Sequence, residues 1–198
     1  MSLTQLSVAA IVLDESSIDK CLDRLKDGLV KYLWIQNNFI NINVSQDDEF
    51  QRKFNHFYRV RRNTQWRKFY FQLFENCKNN PPSFEFILEY LSSHTGRIEA
   101  SFSSKLVATL NPEMPVIDSV VLRNLGLKLP TASKDRLQKV AAIYEELGFR
   151  LDALLKSENG AQAILKFKDR YPGVQITNIK ILDLILWQLR GNSYHLVS

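Results

Sequence analysis

The sequence predicts an all-α, compact multi-helix fold, and three observations carry that reading. Apolar residues recur every three or four positions through most of the chain, the spacing that places them on one helical face. Capping residues and Gly, Pro or Asn punctuation separate these runs by short connections, which favour antiparallel neighbours. Only Phe39 to Val44 alternates apolar and polar, as a short strand or an extended connection would. Composition allows such a fold a full core. At 198 residues, 45% hydrophobic and 11% aromatic, the chain is too apolar for disorder. A chain of this length buries roughly 70% of its unfolded surface. Seven Gly and six Pro are too few for a loop-rich architecture. The organisation expected is one helical domain over 1–198, or two lobes of about 1–95 and 96–198 sharing one cleft.

The elements follow in order. Ser16 or Ser17 caps a helix to about Asn38, with Ile18, Leu22, Leu25, Leu29 and Leu33 inward. Asp47 or Asp48 caps the next, to about Arg62, and Asn63 or Thr64 restarts the chain as a third, to about Asn79. Asn-Asn-Pro-Pro at 79–82 breaks it. Ser83 caps a helix from Phe84 to about Thr95, ended by Gly96. Ile98 to Leu110 reads as helical, and the loop Asn-Pro-Glu-Met-Pro follows at 111–115. Asp118 opens a helix that ends near Gly126. Ser133 caps one through about Leu147, with Phe149 to Ser157 as its continuation. Ala161 to Tyr171 and Ile176 to Arg190 close the series, the last stopped by Gly191.

The net charge of +5 is unevenly spread. Phe50 to Phe74 holds Arg52, Lys53, Arg59, Arg61, Arg62, Arg67 and Lys68 and no acid, so the rest of the chain nets −2. The same window holds nine aromatics: Phe50, Phe54, Phe57, Tyr58, Trp66, Phe69, Tyr70, Phe71 and Phe74. Basic side chains interleaved with aromatics suit a phosphate backbone and stacked bases. The spacing also reads as ordinary core. Phe50, Phe54 and Phe57 fall at i, i+4 and i+7, and Trp66, Tyr70, Leu73 and Cys77 repeat the pattern. Arg52, Arg59 and Arg62 then form an opposite, solvated face.

Several classes are excluded or disfavoured. The start of the chain, Met1 to Leu13, lacks the basic opening of a secretory leader and runs into Asp14 and Glu15. The longest apolar stretch, Ile176 to Leu189, is too short to span a membrane and carries Lys180 and Asp183. Cys21 and Cys77 cannot build a disulfide scaffold and read as buried, reduced thiols of a cytoplasmic protein. His56, His94 and His195 have no metal-ligand spacing. There is no glycine-rich phosphate loop, so no cofactor and no metal are expected.

The stretch from Gly96 to Leu127, GRIEASFSSKLVATLNPEMPVIDSVVLRNLGL, resembles the helix-hairpin-helix DNA glycosylase superfamily, the group holding endonuclease III and 8-oxoguanine glycosylase. Ser101-Phe102-Ser103-Ser104-Lys105-Leu106-Val107-Ala108 stands where that family's hairpin has a glycine turn, a lysine and small apolar residues. Pro115-Val116-Ile117-Asp118 matches its proline loop ending in a helix-opening aspartate. Arg123 and Leu125-Gly126-Leu127 match the residues beyond, and Leu184 to Gly191 is similar to its last core helix. The Asn-Pro-x-x-Pro-x-x-Asp pattern of residues 111–118 is also similar to that of an uncharacterised bacterial protein group. The family's hairpin glycines are Ser101, Phe102 and Ser103 in this chain, and the iron–sulfur cysteines of endonuclease III are absent.

The resemblance implies a DNA-binding protein acting in DNA repair on a nucleotide turned out of the duplex. Asp118 would stabilise positive charge developing on the sugar, and Lys105 would attack it to form a Schiff base. Ser101, Ser103 and Ser104 would donate to a phosphate in place of the missing glycines. Arg52, Arg59, Arg61, Arg62, Arg67 and Lys68 would supply salt-sensitive backbone affinity. Read without the family, Asp118 is a routine N-cap, Lys105 a solvated surface lysine and Arg123 an ion-pairing or packing residue. A non-catalytic module that reads damaged DNA or serves a larger complex is the alternative, and a helical protein-interaction domain is a third.

Overall fold

The computed structural model describes residues 13–189 and contains nine helices in that range. Local capping sets where each begins. Helix α1, Glu15–Asn38, is capped by Asp14, whose carboxylate accepts from the Ser17 backbone N–H at 2.9 Å. The acid thus takes the capping role that pattern assigned to the serines after it. Helix α2, Asp48–Tyr58, is capped by Asp47 and stops earlier than the apolar spacing suggests. Arg59 adopts the left-handed conformation there, with φ 53°, and turns the chain. Helices α3, Thr64–Cys77, and α4, Phe84–Thr95, start at Asn63 and Ser83, and Gly96 ends α4 at φ 67°.

Helix α5 covers Ala100–Leu110, and the short α6, Ser119–Asn124, starts at Asp118. Helix α7, Arg136–Leu155, is continuous through Phe149 and begins after Asp135 rather than Ser133. Helices α8, Glu158–Arg170, and α9, Asn178–Gln188, are capped by Ser157 and Thr177. The stop at Gly191 lies outside the described residues. Residues 39–46 form turns, and no strand occurs among the described residues. The Asn43 side chain accepts from Ser45 N–H at 3.0 Å and Glu75 accepts from Val44 N–H at 2.7 Å. Those bonds commit backbone donors that a strand would offer to a neighbour.

Two helices organise the core. Helix α9 is buried without a break from Ile179 to Leu186 and packs against α1, α6, α7 and α8. Helix α5 buries nine of its eleven residues. The aromatics of the basic window are core: Phe50, Phe54, Phe57, Tyr58, Tyr70, Phe71 and Phe74 are buried, with Trp66 and Phe69 packed at the edge. Their rings fill the space between α2 and α3, as in the Phe54–Phe71 edge contact at 5.5 Å. The Tyr70 hydroxyl donates to the Phe102 carbonyl at 3.0 Å and fastens α3 to α5. The Asn124 amide donates to the carbonyls of Leu186 at 2.7 Å and Leu189 at 3.0 Å. That pair docks α6 on the C-terminal end of α9.

Candidate functional site

Lys105 lies in the middle of α5, not at its start, and is only 9% exposed. This corrects the solvated-lysine reading. Its ammonium donates to the carbonyl of Tyr58, the last residue of α2, at 3.0 Å. It also sits 5.1 Å from the centre of the Phe102 ring. Burial pushes the Lys105 pKa down to about 8; the Asp118 charge acts against this, and the Arg59 and Arg62 cations add to it. The dipole of the α5 N-terminus is not the cause, because five residues of α5 precede Lys105.

The serines before Lys105 do something other than bind phosphate. Ser103 and Ser104 are fully buried. The Ser103 hydroxyl donates to the Glu99 carbonyl at 3.1 Å. The Ser104 hydroxyl donates to the Ser101 carbonyl at 3.0 Å and accepts from the Ile117 N–H at 2.8 Å. The half-buried Ser101 donates to the Ile117 carbonyl at 2.8 Å. Ser101 and Ser104 therefore clamp both backbone groups of the residue before Asp118. The expectation of three phosphate-facing hydroxyls is corrected: each is committed to backbone.

Asp118 caps α6, accepting from the Val120 N–H at 2.8 Å, and stays half-buried. It lines the same cleft as Lys105, a space of about 100 Å³. The end of α2 contributes Phe57, Tyr58 and Arg59, and α9 contributes Lys180, Asp183, Leu184 and Trp187. Arg59 lies over the Trp187 ring at 5.3 Å. Lys180 and Asp183 form an ion pair at 2.7 Å, with exposures of 3% and 6%. Burial alone would lower the Lys180 pKa, but the Asp183 carboxylate, with Tyr58 and Tyr32, holds it above the ordinary lysine value.

The basic residues divide. Arg52, Arg59, Arg61 and Lys68 are exposed. Arg62 is half-buried and grips Glu99 through two nitrogens, at 3.1 and 2.8 Å. That bidentate pairing fixes it against a buried carboxylate, so it is a structural residue rather than a free backbone contact. Arg67 is half-buried and reaches the Thr64 hydroxyl at 3.4 Å. Arg123 is exposed. Cys21 and Cys77 are buried and unpaired, and burial pushes the Cys21 thiol up to about 11.

No group of three or more His, Cys, Asp or Glu among the described residues could hold a metal ion. His56 and His94 are exposed, and His195 lies outside the described residues. No described helix is long and apolar enough to cross a membrane. Tyr58, Lys180, Asp183 and Trp187 are cleft residues that pattern reading did not assign to the site. Two charges three residues apart inside the apolar run 176–189 were the available signal for Lys180 and Asp183. No family model matches the chain, and neither a curated protein nor a solved structure matches it.

Proposed function

We propose that this protein binds DNA and acts on an extruded nucleotide or abasic site, as a glycosylase with lyase chemistry like that of the helix-hairpin-helix superfamily. The observation that carries the reading is a buried lysine with a pKa of about 8 lining one open cleft with a helix-capping aspartate. A pKa of 8 leaves roughly a tenth of the amine neutral at pH 7, several hundredfold more than an ordinary lysine. The neutral Lys105 nitrogen would attack the C1′ aldehyde carbon of an opened abasic sugar. The aldehyde oxygen takes up protons and leaves as water, and a C=N bond joins lysine to sugar. Asp118 would stabilise the positive charge on the sugar in either the glycosylase or the lyase step. The exposed Arg52, Arg59, Arg61 and Lys68 would supply the affinity for the phosphate backbone.

A second reading, a binding module without chemistry, is favoured by the serines that occupy the hairpin turn. The backbone N–H groups of Phe102 and Ser103 both donate to the Glu99 carbonyl, at 3.0 and 2.9 Å, and so are not turned out as a glycine-type phosphate nest. Borohydride trapping on a duplex carrying an abasic site separates the two. The catalytic reading requires a covalent adduct that Lys105→Ala abolishes. Salt-sensitive binding with no adduct would remove the lysine role and leave the reader.

A further inference from the structure

Beyond Lys105 and Asp118, the cleft contains a second charged pair that the proposed chemistry does not use. Lys180 and Asp183 project from consecutive turns of α9, both more than nine-tenths buried, and both line the cleft. Oδ2 of Asp183 accepts from Lys180 at 2.7 Å, while its buried Oδ1 has no hydrogen-bond partner in the protein. A buried carboxylate oxygen left unpaired costs free energy, and such groups call for an explanation. The Lys180 ammonium carries three donors, of which Asp183 takes one. Tyr32 covers the ammonium with its ring face at 4.9 Å. The pair thus offers one acceptor and further donors, side by side. Both residues line the cleft, and a ligand there that donates to Oδ1 would satisfy the unpaired oxygen.

The surroundings restrict what could bind. Arg59, Lys105 and Lys180 face only Asp118 and Asp183, so a cationic ligand is disfavoured. A cavity of about 150 Å³ accepts benzene; this cleft encloses about 100 Å³ and is open at its mouth, so it admits no more than a single ring. We propose that Lys180 and Asp183 read the edge of a neutral, pyrimidine-sized ring presenting an N–H donor beside a carbonyl. The N–H donates to Asp183 Oδ1 and the carbonyl accepts from Lys180. This rests on the reading that the cleft receives an extruded base.

The test compares 1-methyluracil, whose only donor is N3–H, with 1,3-dimethyluracil, which has none. NMR shift titration of the wild-type chain is expected to show at least tenfold tighter binding of 1-methyluracil. The double variant K180M/D183L is expected to lose that preference. Replacing both partners avoids stranding one buried charge, and apolar substitutes for buried ion pairs are commonly tolerated. A urea melt checks that it folds. No measurable binding of 1-methyluracil, equal binding of the two rings, or a preference surviving in the double variant would each overturn the proposal. Borohydride trapping of the wild-type chain uses an abasic duplex, which has no base. No adduct with the ring preference intact would sink the lyase reading and leave the edge reader standing; an adduct with no preference would do the reverse.

Discussion

Replacing Lys105 with methionine is expected to stabilise the protein at neutral pH, and the effect is expected to disappear in alkali. The ordinary lysine value of 10.5 falls to about 8 in the folded chain. At ~1.4 kcal/mol per pKa unit, holding the ammonium in the cleft costs about 3 kcal/mol at pH 7. Methionine removes that cost but leaves the Tyr58 carbonyl without its 3.0 Å donor, a loss of about 1 kcal/mol. The net gain is about 2 kcal/mol. Its pH dependence has a definite sign. Below pH 8 the lysine is protonated in both folded and unfolded chains, and the folded chain bears the full cost. Between pH 8 and 10.5 the folded chain releases the proton while the unfolded chain retains it, so wild-type stability rises with pH. Urea denaturation of both proteins at half-unit steps from pH 6.5 to 10 measures the gap, which should close or reverse by pH 10. A gap that stays constant across that range would refute the buried, depressed lysine. The same titration predicts that adduct formation on an abasic duplex rises with a midpoint near pH 8.

Three further outcomes follow from the geometry. The triple variant R52A/R61A/K68A removes three exposed cations; it is expected to lower the slope of log affinity against log salt for duplex DNA by about 2 to 3, as measured by fluorescence anisotropy. An unchanged slope would remove these residues from any DNA interface. Arg59→Gly is expected to be more stable than Arg59→Ala by about 1 kcal/mol in urea denaturation, because both lose the contact over Trp187 but only glycine relieves the positive φ. Gly160→Ala is expected to lower stability by more than 2 kcal/mol in the same assay. An added Cβ would stand 1.9 Å from the Leu154 carbonyl oxygen, where α8 starts against the end of α7.

The helices were largely legible in the sequence because capping and periodicity are local. Asp47, Asn63 and Ser83 sit where short polar side chains satisfy the first backbone donors of a helix, and that preference needs no tertiary partner. The aromatic stripe of Phe50, Phe54 and Phe57 likewise declared itself core through its spacing. Boundaries failed where one backbone torsion decided them, as at Arg59, or where an acid outcompeted a neighbouring serine, as at Asp14. The alternation at 39–44 was misleading because the Glu75 and Asn43 side chains take up the backbone donors of Val44 and Ser45.

What the sequence determined by itself was an all-helical chain with a basic, aromatic-rich segment and a short lysine-to-aspartate motif. Only the tertiary structure decided which charges are in water. Lys105 looks like a surface lysine by its neighbours, yet the end of α2 closes over it and removes most of its solvent, which is what lowers its pKa. Arg62 belongs to the basic run by sequence, yet a buried Glu99, 37 residues away, engages its guanidinium. Ser101 and Ser104 look like exposed donors, yet they hold the backbone that sets Asp118 in place. Solvation and pairing depend on groups distant in the chain, and the hydration lost by a charge is a property of the packed fold rather than of its local sequence.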